Sequence, residues 1–456
     1  MSKYDLGLPK GMKDFGPEVM KKRECIFSTI KNIFNLFGYQ NIETPAMENL
    51  STLTGKYGDE GDKLLFRVLN SGDFLSKVPK EKISANTQYS DIIKYVADKG
   101  LKYDLTIPFA RFVTMNRNAL TFPFKRYQIQ QVWRADKPQK GRYREFYQCD
   151  VDVIGSNSLL NEFELIKIVD EVFKSLNINV TLILNNRKIF NGILQALNLE
   201  DKMTEISVAV DKLDMMGIEN VVKELIRNNI NENLASLLIK IFTFKGAENE
   251  IFDFLNNNIG NTEMGRKGID EMHALFGYIR NDNISMNIKF DISLARGLDY
   301  YTGTIFEVKA NDVDISSICG GGRYDNLTAA FGLPDVSGVG ISFGADRIYD
   351  VMNELELFND IIADNKSVLI LNFGEKAIKY SLPLVNLLRQ NRFVAEIYPD
   401  NHKLQKQLNY ANKKNISFVV FAGETEIKEN KYAIKNMISG KQHILSIDEV
   451  INFLNM

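Results

Sequence analysis

The polar and apolar positions of this chain change period several times, and each change predicts an element. Between Pro17 and Phe37, Val19, Ile26, Ile30, Ile33, Phe34 and Phe37 recur at helical spacing. Pro17 suits the first helical position and Gly38 stands where a helix ends, so the pattern predicts a helix over 17–37. Farther on, two runs alternate with period 2. In the first, Tyr127, Ile129 and Trp133 alternate with Gln128, Gln130, Val132 and Arg134. In the second, Tyr147, Cys149, Val151 and Val153 alternate with Phe146, Gln148, Asp150 and Asp152. Each run then has an apolar and a polar face, and Pro138 and Gly141 punctuate a loop between them. The second run is very polar on one face. A solvent-exposed hairpin carries such a face. A ligand site carries one too, and Lys137, Lys140 and Arg142 in the loop beside Arg134 suit a phosphate, whose oxygens guanidinium forks bind in pairs.

Around this hairpin the pattern sets out the rest. Tyr39–Leu50 is strand-like and broken by Pro45, which fits a sheet edge or an interface. Leu53–Leu75 reads as a charged loop leading into a short hairpin that turns at Asn70-Ser71-Gly72, followed by a helix around Ser90–Asp98. Asp104 and Thr106 share one face of an extended segment, and Pro108 then opens a helix. Leu159–Leu176 predicts a helix and Asn179–Leu184 a strand. Asn185–Gly268 is helical, rich in Asn and Lys, and holds no concentrated chemistry. Strands return over Ile288–Val308. The glycines of Cys319–Tyr324 permit a turn, and Ser337–Asp346 runs into a helix that begins near Ala345 with Arg347 in its first turn. Beyond a linker at Asn353–Asn365, short strands and helices alternate, which argues a compact α/β domain with a mixed or parallel sheet. The fold class expected is α+β: an antiparallel-sheet body over 1–184 and 271–352, a helical insertion over 185–270, and an α/β domain over 366–456.

Composition narrows the function classes. With 45% hydrophobic and 25% charged residues the chain is an ordinary globular protein. A net charge of −2 carries no global nucleic-acid signal, yet Asn365–Met456 holds 13 Lys and Arg against 8 Asp and Glu. A basic tail on an acidic body suits a nucleic-acid-facing module. Three cysteines without paired spacing and three histidines predict neither a disulfide framework nor a metal site built from side chains. No apolar leader and no membrane-length run appear, so a cytoplasmic location is expected.

Four groups can converge on one sheet: Asp104 with Thr106; Arg134 with Gln148 and Asp152; Arg296 with Asp299, Tyr300 and Tyr301; and Arg347 at a helix start. Three arginines neutralise a polyphosphate, while carboxylates, Thr and Gln hold an amine. No Ser-His or Cys-His pair stands out, so a reaction driven by positioning and electrostatics is favoured over a protein nucleophile. Asp104 also has a plain reading, as the cap of the helix behind it.

The residues themselves resemble a known family. KRYQIQQVWRADKPQKGRYREFYQCDVDVIG is similar to motif 2 of class II aminoacyl-tRNA synthetases, in the form found in the histidyl-tRNA synthetase family. YDLTIPFARFV and LARGLDYYTGTIFEV resemble that family's two histidine signatures, ETPAME its motif 1 and GVGISFGADRI its motif 3. The resemblance implies L-histidine, ATP with Mg2+, and a histidine tRNA as partners, and a homodimer with Pro45 at the interface. It implies Arg134 at the α-phosphate and the histidine carboxylate, Phe146 stacked on adenine with Arg347 on its other face or at the γ-phosphate, and Arg142 near the terminal phosphates. Asp104, Thr106 and Gln148 would hold the amino group, and Leu105 would belong to the histidine-binding set. Asp152 and Tyr301 would read the imidazole nitrogens, with Tyr300 and Tyr324 lining the pocket. Arg296 would be the catalytic arginine. One departure is Asp136, where the family usually has a Glu against adenine. Two other readings remain: a synthetase-like regulatory subunit of ATP phosphoribosyltransferase, or an RNA-binding protein without catalysis.

Overall fold

The computed structural model describes residues 6–54, 64–83, 88–138, 141–295, 300–361 and 366–455. The chain divides into two compact units, Met1–Ile361 and Ile362–Met456. In the first, the opening helix runs Pro17–Leu36 and buries Ile26, Ile30, Ile33 and Phe34. Gly38 ends it at φ 79°, where any other side chain is strained, and the Tyr39 N–H closes onto the Phe34 carbonyl at 3.1 Å.

The strands of this unit are β1 (Gln40–Asn41), β2 (Met47–Asn49), β3 (Arg67–Val68), β4 (Lys99–Leu101), β5 (Phe124–Trp133), β6 (Glu145–Ile154), β7 (Val180–Asn186), β8 (Asn287–Phe290), β9 (Thr304–Ala310), β10 (Cys319–Tyr324) and β11 (Gly338–Gly344). A three-stranded sheet has the order β2-β4-β3, and an eight-stranded sheet the order β1-β5-β6-β11-β10-β9-β7-β8. In the large sheet β1 and β8 run parallel to their neighbours, and all other pairings are antiparallel. The β5–β6 hairpin is present as its period predicts, but β6 lies inside the sheet between β5 and β11. Gln148, Asp150 and Asp152 are therefore buried, and the solvent-exposed reading of that polar face is overturned. The opposite face of β6 meets the first helix, where the Phe27 and Tyr147 rings lie 5.0 Å apart.

Three local expectations change. The bend at Asn70–Gly72 does not join a hairpin, because β3 pairs with β4. The Asn70 side chain instead ties the bend to the end of the Tyr89–Val96 helix, donating to the Tyr95 carbonyl and accepting from the Asp98 N–H. Asp104 and Thr106 do not share a strand: a helix runs Thr106–Asn116, with Pro108 in its first turn, where its missing N–H costs no helical bond. CGGGRY is strand β10, not a turn. Its glycines answer to close approach across the sheet, since a Cβ on Gly321 would stand 2.0 Å from the Gly340 carbonyl oxygen.

From Arg187 to Arg280 the chain is helical, with its own aromatic core in which Phe190 and Phe242 stack at 5.1 Å. Lys245, in this stretch, reaches Asp291 just after β8. Among the described residues no helix is long and apolar enough to cross a membrane.

The second unit contains β12 (Ser367–Ile370), β13 (Val394–Ile397), β14 (Phe418–Phe421), β15 (Tyr432–Asn436) and β16 (Gln442–Leu445), in the order β13-β12-β14-β15-β16. The sheet is mixed: β13, β12 and β14 are parallel, and β15 and β16 antiparallel. Alternation along β12 sends Val368 and Ile370 to the core with Leu384, Leu388 and Leu454, and Leu369 to the core with Ala411 and Val419. Between β14 and β15 the chain makes a short helix, Glu424–Glu429.

Candidate active site

A cavity of about 540 Å³ opens over β6, β10 and β11, between the start of the Thr106–Asn116 helix and the loop after β5. Its walls include Asp104, Thr106, Arg134, Asp136, Arg142, Phe146, Gln148, Asp152, Tyr300, Tyr301, Tyr324 and Arg347. The sheet thus brings together nearly every residue singled out in the sequence. Leu105 is fully buried and off the wall. Arg296 and Asp299 lie outside the described residues.

One end of the cavity is cationic. Arg134 leaves β5 where the hairpin opens; its Nε donates to the Tyr103 carbonyl at 2.9 Å, and its guanidinium lies 5.2 Å from the Phe146 ring centre. Asp136 takes both a Nε–H and a Nη2–H of Arg142, at 2.9 and 3.0 Å. Arg347 donates to the carbonyls of Gly141 and Ser317 at 2.9 and 2.6 Å, which ties the loop to the helix that follows β11. That helix is anchored in turn by a buried ion pair between Asp346 and Arg23 of the first helix.

The middle of the cavity offers acceptors. Asp104 Oδ1 accepts the Ile107 N–H at 3.4 Å, just ahead of the helix whose N-cap is Leu105, and Asp104 lines the cavity as well. Gln148 donates to the Ser342 hydroxyl at 2.8 Å and to Asp150 at 3.4 Å. Its Oε1 is buried and has no hydrogen-bond partner among the described residues, and an acceptor left so costs free energy until a donor arrives.

The far end is acidic and aromatic. Tyr324 donates to Asp152 Oδ1 at 2.6 Å, and the Tyr300 and Tyr301 rings pack 4.5 Å apart. Glycines make this arrangement possible: a Cβ on Gly340 would stand 2.0 Å from Asp152 Oδ1, and one on Gly322 would stand 2.6 Å from the Tyr301 ring. Burial raises the pKa of Asp152 more than Arg126 and Tyr324 lower it. Burial likewise pushes Asp150 up to about 7, against the pull of Arg126.

Sequence reasoning missed Arg126, Asp150 and Lys102. Arg126 is wholly buried, with Nη2 2.8 Å from Asp152 Oδ2. Behind it a polar layer continues from Gln128 to Thr44 and from Gln130 to Lys102. The available signal was Arg126, Gln128 and Gln130 at alternate positions of β5, facing the polar positions of β6. Among the described residues no group of three metal-ligating side chains occurs.

Known proteins match along the whole chain. Residues 95–348 match the family model described as histidyl-tRNA synthetase, and residues 367–456 that of an anticodon binding domain. The histidine–tRNA ligase of Phocaeicola vulgatus is 51% identical over 445 residues, covering 98% of this chain and 98% of that protein. That of Azobacteroides pseudotrichonymphae is 52% identical, with the same coverage. Among solved structures, the histidyl-tRNA synthetase of a Nostoc species superposes with a TM-score of 0.81 at 26% identity, covering 99% of each chain.

Proposed function

Because the chain belongs to the histidyl-tRNA synthetase family, we propose that its cavity selects histidine at the Asp152 end and holds ATP at the arginine end. The chain is an aminoacyl-tRNA synthetase: it activates histidine with ATP to the adenylate, releasing pyrophosphate, and passes histidine to the tRNA 3′ end. Full-length identity to ligases excludes the regulatory-subunit reading.

In this proposal the histidine carboxylate attacks the α-phosphorus, and charge accumulates on phosphate oxygens. Arginines fixed beforehand stabilise that charge without reorganising. Arg134 is the α-phosphate contact. Phe146 supplies a flat face for adenine, with Arg347 opposite. Arg142 reaches the terminal phosphates by exchanging Asp136 for them, and Asp136, a methylene shorter than the usual Glu, serves that exchange and not only adenine. Gln148 Oε1, Asp104 and Thr106 take the ammonium, and Asp152 and Tyr301 the ring nitrogens, with Tyr300 and Tyr324 shaping the pocket. Arg296 is assigned the catalytic contact by resemblance. Mg2+ would arrive with the triphosphate. Glu307, a cavity carboxylate that accepts the Ser317 hydroxyl, fits the hard oxygen donor that ion prefers, and the ion would offset phosphate charge.

We further assign 366–456 to anticodon recognition, 185–270 to an insertion within the catalytic domain, and the molecule to a cytoplasmic homodimer. Exposed Met47 and Met115 lie on elements joined by the Glu48–Arg111 ion pair, and a second copy would cover them.

The observation that carries the site reading is the buried Gln148 acceptor, without a partner among the described residues, between an arginine end and an acidic aromatic end of one cavity. Histidine-dependent ATP–pyrophosphate exchange, with other amino acids as controls, tests it. Exchange with histidine alone is expected. Gln148→Ala should raise the histidine KM, and Arg296→His should abolish exchange while tRNA binding survives. Unchanged exchange in both variants would refute the assignments.

A further inference from the structure

Arg126 touches no substrate in the site just assigned and lies behind the cavity wall, against the wall residue Asp152. It is 0% exposed. The register of β5 and β6 sets it directly opposite Asp152. Its Nη2 stands 2.8 Å from Asp152 Oδ2 and 3.9 Å from Asp150 Oδ2. The guanidinium lies over the Phe109 ring at 4.2 Å, and Nη1 reaches Gln128 Oε1 at 3.4 Å, so it has little freedom to leave. Asp150 and Asp152 are two residues apart on one strand and share a face. Both are buried. Two carboxylates in so dry a place do not both hold a negative charge unaided. Lys102, the other buried cation nearby, is committed to the Thr44 carbonyl and to Gln130.

We infer that Arg126 is a positioning residue for histidine selection: it keeps Asp152 an anionic, fixed acceptor at the end of the cavity, and Asp150 keeps Arg126 from cancelling that charge. Above about pH 7, where Asp150 has lost the proton that burial holds on it, one guanidinium between two carboxylates leaves a net charge of −1 where the substrate ring ends. An imidazole N–H answers that charge. An apolar ring or a carbonyl oxygen in the same place leaves it unanswered, which is how a polar site rejects near-isosteres. The inference rests on the reading that Asp152 takes an imidazole N–H.

The test is histidine-dependent ATP–pyrophosphate exchange on the full-length protein at about pH 8, where Asp150 is ionised, with KM for histidine and for ATP measured separately. D152N comes first, because it tests the underlying reading; a histidine KM raised roughly 100-fold is expected. R126L removes the charge and keeps most of the bulk. It should raise the histidine KM about 30-fold and leave the ATP KM within about threefold. R126L leaves Asp150 and Asp152 competing for one proton, whereas the double variant R126L/D150N leaves the charge to Asp152 alone, so its histidine KM should fall back from that of R126L toward wild type. A packing role for Arg126 predicts the reverse, a double variant at least as impaired as R126L. D150N alone lets Arg126 neutralise Asp152 and should raise the histidine KM about fivefold. If D152N raises the KM and R126L does not, or if the double variant recovers nothing, the inference is wrong. If D152N itself leaves the KM unchanged, the assignment of Asp152 fails, and that outcome is distinct. Should R126L not fold, D150N decides: an unchanged histidine KM overturns the proposal.

Discussion

Two buried carboxylate sites in this molecule are built in opposite ways. On β6, Asp150 and Asp152 share the single guanidinium of Arg126, and burial pushes both pKa values up. Where the helical stretch returns to the sheet, Asp291 stands alone among donors. Lys245 gives it contacts of 2.9 and 2.8 Å, Lys289 one of 2.8 Å, and the Ser293 N–H another of 3.0 Å. Burial raises its pKa too, but these hydrogen bonds outweigh burial and hold it down at about 2. The residue type is the same and the donor supply is not. Asp291 is satisfied by its own chain, so its charge stabilises the fold. The β6 pair is short of donors, so part of its capacity is reserved for a ligand. That is the electrostatic difference between a structural carboxylate and a recognition one.

The largest effect should come from removing the recognition charge. D152A is expected to lower kcat/KM for histidine by roughly 10²- to 10⁴-fold, because substrate N–H groups then lose a charged acceptor in a dry site. Its thermal midpoint should stay near wild type or rise, since a carboxylate burdened by burial has gone. A midpoint drop without loss of activity would place Asp152 in the structural class instead. A smaller effect on the same end is expected from G340A. The added Cβ would stand 2.0 Å from Asp152 Oδ1 and 2.3 Å from its carboxyl carbon, so the carboxylate must move. We expect kcat/KM for histidine to fall roughly 10- to 100-fold, with an overpacking cost of about 1–3 kcal/mol. An unaltered histidine KM would show that Asp152 has more freedom than its partners suggest.

How much of this was legible in the sequence follows the range of the forces involved. The β5–β6 hairpin, the strand-to-helix passage at Ala345 and the alternation of the second unit all rest on local periodicity, and they stand as read. The wall residues Arg134, Gln148 and Asp152 were legible because polar groups on a strand need a reason. Arg126 was not, since its burial depends on which strands flank β5 and on Phe109 from a distant helix. The clamp of Arg323 on Glu162, with contacts of 2.6 Å, joins residues 161 apart in sequence and leaves no local trace. The glycines of β10 misled because their local permissiveness suggests a turn, whereas their reason lies across the sheet, in Tyr301 and Gly340. Asn70 misled in the same way, its partners being the end of a helix rather than a facing strand.

The smallest effects, and the ones that separate the two carboxylate sites most cleanly, lie in stability against pH. Asp291 has a folded pKa depressed from the ordinary 3.8 to about 2. Above about pH 4 its ionised form contributes its full stabilisation, which is lost as pH falls toward 2, where the folded state must also take up the proton. Its lysine partners are about half exposed, so D291N should cost only about 1–2 kcal/mol at pH 7, and that cost should shrink toward zero near pH 2. Asp150 has the reverse sign. Its folded pKa is raised from 3.8 to about 7, so between those values the folded state holds a proton that the unfolded chain has released. Stability therefore falls as pH rises from about 4 to about 7 and levels off above it. D150N cannot ionise and escapes that loss: it should match wild type near pH 4 and be at least as stable at pH 8. Denaturant midpoints of the three proteins across pH 3–8 give both windows in one series. If D150N were destabilised at pH 8 as D291N is, Asp150 would be a satisfied structural partner of Arg126, and the contrast between the two sites would collapse.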